Sequence, residues 1–139
     1  MYIIIAGCGR LGTELAKRFS DRGDDVAVID PKPERSESLG YGFNGLAVTG
    51  MPFDEDVLQE AGIENADVVA AMTDDDNVNI MISQISRVLY QIPKVLTRIS
   101  APDKVSTFQK MGFDVICPTI TAADSVEEWL GHMKEEEKR

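Results

Sequence analysis

The chain has 139 residues, 43% of them hydrophobic, which suits one domain with an ordinary core. Its formal net charge of −10 argues against a nucleic-acid or anionic-lipid partner, because a phosphate surface demands a basic one, and reads most simply as a device for solubility. No apolar run is long enough to cross a bilayer, and Met1 opens into a strand pattern rather than a signal peptide, so direct membrane insertion is not expected.

A run rich in β-branched residues ending at Ala6 predicts the first strand. Residues 10–22 predict a helix with Leu11, Leu15, Ala16 and Phe19 on its apolar face. Val26-Ala27-Val28-Ile29-Asp30 predicts the second strand. Residues 33–39 read as a weaker helix, with Gly40, Gly42 and Gly45 punctuating its exit. A third strand is expected over 46–49, then a short helix over 53–61 stopped by Gly62. Residues 67–72 are apolar nearly throughout, as a buried parallel strand should be.

Thr73-Asp74-Asp75-Asp76 supplies capping oxygens for a long helix, whose expected apolar stripe is Val78, Met81, Ile82, Ile85, Val88, Leu89 and Ile92. A fifth strand follows over 94–99, and Ser100-Ala101-Pro102-Asp103 opens a helix that Gly112 stops. Residues 114–117 predict the sixth strand. Pro118 is expected to break the chain, with Thr121 capping a last helix that ends near residue 133. The all-charged residues 134–139 are expected to fray. Ile120, Ala123, Val126, Trp129, Leu130 and Met133 form a stripe that either packs on the sheet or, through the lone tryptophan, anchors a dimer. Strand and helix alternate six times, which predicts an α/β fold: a single doubly wound parallel six-stranded Rossmann sheet of order 3-2-1-4-5-6 over residues 1–139.

Chemistry concentrates at the start. The first strand runs into Gly7-Cys8-Gly9-Arg10-Leu11-Gly12, and the second strand ends on Asp30. Gly7 allows a tight turn, Gly9 lets a pyrophosphate approach the backbone, and Gly12 lets the next helix pack close to the sheet. The first turn of that helix presents unpaired N–H groups to an anion. Asp30 sits where a carboxylate accepts hydrogen bonds from ribose hydroxyls and disfavours a 2′-phosphate, so NADP is not expected. Strand, glycine loop, helix and acid together predict an adenine nucleotide: NAD(H), ATP, ADP or AMP.

Cys8 and Cys117 form no metal-ligand pair, and two free thiols suit a reducing cytosol. Cys8 is either a reactive thiol near a helix N-terminus or a small side chain filling a turn. Arg98 ends an apolar strand, where an unpaired charge is costly, so it needs a ligand phosphate or a carboxylate such as Asp74. Asp74, Asp75 and Asp76 read as a capping, solvated cluster, and no metal is expected.

Four stretches carry a family resemblance: residues 5–12, residues 57–71, Thr73-Asp74-Asp75-Asp76-Asn77-Val78-Asn79, and Arg98-Ile99-Ser100 taken with residues 108–116. On these the chain resembles the TrkA-N, or RCK/KTN, nucleotide-binding domain of Trk- and Ktr-type potassium-uptake regulatory subunits. That domain also occurs attached to potassium channels and cation–proton antiporters. The resemblance places Gly7, Gly9, Arg10, Leu11 and Gly12 in the phosphate loop, with Arg10 reaching the pyrophosphate or a terminal phosphate. It places Asp30 and Lys32 beside the ribose and adenine edge. Ala71 and Thr73, with Asp74, line the switch-point cleft, and Arg98 points a cation into it. Gly50-Met51 replaces the family's frequent Gly-Asp, so a polar adenine contact there falls to backbone. Thr119 replaces a frequent glutamate linked in relatives to a divalent cation, in line with no metal site.

Two function classes compete. An oxidoreductase needs a proton donor and a substrate domain, yet His132 lies on the last helix and Tyr2, Tyr41 and Tyr90 fall away from the expected cleft. The resemblance implies instead a cytoplasmic nucleotide sensor: a homodimer, or a larger ring, that gates a membrane-embedded potassium transporter or channel subunit. An antiporter's regulatory domain is the related alternative. Family members often add a smaller C-terminal lobe, which makes the chain either a fragment or a stand-alone subunit.

Overall fold

The computed structural model describes residues 1–138. The strands are β1 (Tyr2–Ala6), β2 (Asp25–Asp30), β3 (Leu46–Thr49), β4 (Val68–Ala71), β5 (Lys94–Arg98) and β6 (Asp114–Ile116). They form one parallel sheet of order β3-β2-β1-β4-β5-β6, as the alternation predicts. The helices are α1 (Arg10–Asp21), α2 (Pro33–Glu37), α3 (Glu55–Glu60), α4 (Asp76–Gln84), α5 (Val105–Lys110) and α6 (Pro118–Glu137).

Strand alternation divides the core. Ile4, Ala6, Ile29, Val69 and Ala71 face one side and bury Leu58 of α3 and Ile82 of α4. Ile3, Ile5, Val26, Val28 and Ala70 face the other and bury Ala16 of α1. Both faces of the central strands are covered, so β1 and β4 read as near-continuous apolar runs.

Three expectations are corrected. α4 passes at Ile85–Leu89 into a π-helical turn, whose extra residue rotates the apolar line. Ile82 is buried and Ile92 stays in the core, but Met81, Val88 and Leu89 of the expected stripe are exposed. Pro118 does not break the chain. It occupies the first turn of α6, where its missing N–H costs nothing, while Thr121 N–H donates to Cys117 O at 3.0 Å as an ordinary helical bond. α6 runs to Glu137, in keeping with the helix propensity of Lys and Glu, and Arg139 lies outside the described residues. Finally, the apolar stripe of α6 does not pack on the sheet. No α6 residue is buried, and Trp129 is 62% exposed.

Candidate nucleotide-binding cleft

β1 and β4 are neighbours, yet α1 packs on one face of the sheet and α4 on the other. That divergence leaves a cleft of about 580 Å3 at the carboxyl ends of the strands. Gly7, Gly9, Arg10 and Leu11 form the wall nearest α1. Asp30, Pro31 and Arg35 follow β2, and Met51 and Pro52 follow β3. Met72, Thr73, Asp74, Asp75 and Val78 line the β4–α4 side, and Arg98 and Pro118 close the far end.

The glycine loop is built by close approach. Gly7 has φ +102°, and a Cβ there would lie 2.8 Å from Thr73 N. Gly12 abuts the carbonyl of Gly7, so a side chain would push α1 off the sheet. Gly9 differs: a Cβ there would meet nothing within 4 Å. The protein's own packing therefore does not demand glycine at position 9, whereas a ligand resting against the loop would. α1 begins here with no side-chain cap and no acid in its first turn, leaving its N–H groups and dipole open to an anion.

Asp30 is 2% exposed, and its carboxylate is anchored. Oδ2 accepts Cys8 N–H at 2.8 Å, and Oδ1 accepts Lys32 N–H at 2.9 Å. Arg35 Nη1 stands 3.6 Å from Oδ2. Two backbone donors and one guanidinium offset the charge of a nearly buried carboxylate that borders the cleft.

Arg98 is the opposite case. Among the described residues its Nε is buried without a hydrogen-bond partner. Asp74 lines the same cleft but is not a partner of the Arg98 Nε. Arg10 at the start of α1 and Arg98 at the end of β5 both line the cleft. The residues present thus fit an adenosine phosphate, with a ribose acid at one end, room over Gly9, and a guanidinium lacking an acceptor.

Some expected residues stand outside the cleft. Lys32 supplies only its backbone N–H to Asp30, and the cation beside the acid is Arg35, one turn further on. Ala71 is fully buried in the sheet, and Met72 takes the cleft-facing place. Gly50 packs against Val57, while Met51 lines the cleft. Cys8 is 4% exposed, and burial, reinforced by the Asp30 carboxylate and opposed by Arg35, pushes its thiol up to about 12. Burial and the raised pKa favour the filler reading of Cys8 over the reactive thiol. Arg35, Met72, Val78 and Pro118 were not foreseen. Only Arg35 left a signal, a cation early in a helix directly after the ribose acid.

Comparison with known proteins agrees with this architecture. The chain is 39% identical over 126 residues to the Trk system potassium uptake protein TrkA of Streptomyces coelicolor, covering 91% of this chain and 56% of that protein. Among solved structures, it resembles the Kef CTD of Shewanella denitrificans in AMP-bound form, with TM-score 0.81, 20% identity, and coverage of 96% of this chain and 82% of that one. It also resembles GsuK bound to ADP, with TM-score 0.78, 23% identity, and coverage of 95% and 34%. At those identities the structural likeness establishes the fold. Since residues 3–119 match the TrkA-N domain throughout the sheet, the glycine loop and the cleft, the chain belongs to the TrkA-N domain family.

Proposed function

We propose that this chain is a cytoplasmic, non-enzymatic nucleotide-sensing module that regulates potassium movement through a membrane-embedded transporter or channel subunit. The chain spans 56% of the Streptomyces relative, so the reading concerns the regulatory domain. The observation that carries it is that Arg98, whose buried Nε has no partner among the described residues, lines the same cleft as Arg10 at the start of α1. That placement supports a bound phosphate, and Asp30 supports an adenosine ribose. NAD(H), ATP, ADP and AMP satisfy both, whereas a 2′-phosphate would meet the Asp30 carboxylate. The AMP and ADP of the two solved structures support the same ligand class.

Sensing rather than turnover is favoured by what lines the cleft. Neither His132 nor any tyrosine contributes to it, so among its described residues there is no histidine or tyrosine acid–base pair. His132 is instead exposed on α6, 3.9 Å from Glu128. The proposed mechanism is a population shift. Nucleotides with different phosphate charge favour different angles between paired domains, in a homodimer or a larger ring, and the pore subunit feels the difference. A ligand acts only through its differential affinity for the two arrangements. A tenfold bias needs about 1.4 kcal/mol, which one or two charge-assisted phosphate contacts supply.

Calorimetric titration with NAD, NADH, ATP, ADP and AMP, paired with solution scattering, tests this. Binding of at least one ligand and a ligand-dependent change in assembly shape are expected. No binding at millimolar concentration, or turnover of a bound nicotinamide with a substrate panel, would reject the sensor.

A further inference from the structure

Asn79 lies in the first turns of α4 and is wholly buried. Its Oδ1 accepts from Thr73 N–H at 3.0 Å and from the Thr73 hydroxyl at 2.6 Å. Its Nδ2 donates to Thr73 O and to Arg98 O, both at 2.9 Å. A backbone N–H at one end and two carbonyls at the other leave only one orientation for the amide, and all of its hydrogen-bonding capacity is used.

What Asn79 joins is more telling than its burial. Pairing of β4 with β5 ends at Ala71 and Thr97. Thr73 and Arg98 both lie past that point, and both line the cleft. No ladder bond holds one to the other, and the Asn79 amide takes the place of the missing rung. A second tie runs parallel to it, where the Asp76 carboxylate accepts Ser100 N–H at 2.7 Å and Ala101 N–H at 3.3 Å. The Arg98 guanidinium has no partner at Nε to hold its direction. The Arg98 backbone is held on one side by its pairing with Ile116 of β6 and, on the β4 side, by the Asn79 amide.

We propose that Asn79 is a positioning residue for the phosphate of the bound nucleotide. It locks Thr73 and Arg98 into one frame beyond the end of the β4–β5 ladder, so that Arg98 meets the phosphate without reorganisation. The inference rests on the nucleotide reading above. A cation carried on a fixed backbone spends less of its contact energy on being ordered, so loss of the backbone tie falls on phosphate recognition rather than on the nucleoside.

The test is titration of ADP and of adenosine into the wild type, Asn79→Ala, Arg98→Ala and the double variant. With Asn79→Ala, ADP affinity is expected to fall about tenfold or more, as for other supporting contacts to a binding group, while adenosine affinity stays within about twofold. The double variant should bind ADP no more weakly than Arg98→Ala alone, because the two residues act through one contact. Ser83→Ala is the control. Ser83 pairs with Thr97 at 2.6 Å in the same buried seam, and its loss should leave the ADP-to-adenosine ratio unchanged. Should Asn79→Ala not fold, Asn79→Ser is read in the same way, being polar but too short to bridge. Equal loss of ADP and adenosine, or additive losses in the double variant, would overturn the proposal. If Arg98→Ala weakens ADP while Asn79→Ala does not, this inference fails alone. If the wild type ignores ADP, the nucleotide reading fails with it.

Discussion

The Asp30 carboxylate accepts the backbone N–H of Cys8 at 2.8 Å, tying the end of β2 to the second residue of the glycine loop. The acid proposed to read a ribose is therefore also a structural strut. Asp30→Ala is expected to lose both nucleotide binding and stability, the latter by about 1–3 kcal/mol for the stranded donors of Cys8 and Lys32. Urea denaturation alongside calorimetry separates the two. A variant that binds normally would remove Asp30 from the site.

Gly9 and Gly12 should part company. Gly9→Ala places its methyl group in open space, so its melting temperature should barely move while nucleotide affinity drops. Gly12→Ala meets the Gly7 carbonyl, and a destabilisation of about 1–3 kcal/mol is expected from overpacking. The reverse pattern in thermal unfolding would mean that the space over Gly9 is not where the ligand lies.

Cys8 makes stability depend on alkaline pH. Burial raises its folded-state pKa to about 12 from an ordinary 9.0. The folded thiol keeps its proton while the unfolded one loses it, so the contribution is fully present below pH 9 and is lost as pH rises toward 12. Relative to Cys8→Ser, the wild type should lose stability across that window. Thiol alkylation at pH 8 should also proceed at the rate of opening, not of a free thiolate; prompt labelling of Cys8 would contradict the burial.

Arg98 should behave as a ligand group and not as a fold group. Arg98→Met removes a buried donor that has no acceptor, so stability in denaturant is expected to hold or rise. Phosphate-dependent affinity should fall, and less steeply than wild type with added salt. A large loss of stability would point to an internal partner.

Trp129 stands 62% exposed on α6, in line with Val126, Leu130 and Met133. If that face pairs two copies, tryptophan emission should shift to the blue as concentration rises, and Trp129→Ala should sediment as a monomer. Concentration-independent emission would remove α6 from the proposed assembly.

The strands, their order, the glycine loop and its paired acid were legible because each rests on local chemistry. β-branched runs favour extended backbone, glycines mark where only hydrogen fits, and β–α alternation permits few topologies. Proximity across the switch point was not legible in the same way. Arg35, Met72, Val78 and Pro118 reach the cleft only once the sheet is assembled and the connections leaving its strands converge at one end. That Arg98 lacks an acceptor, and that Asn79 replaces the rung missing between β4 and β5, depends on where pairing stops. The π-helical turn, the exposure of Val88 and the helical course of α6 through Pro118 likewise follow from packing and backbone geometry rather than from pattern. Residue type settled which chemistry the chain carries, while three-dimensional register settled which of those groups meet, since hydrogen-bond satisfaction is a property of neighbours in space.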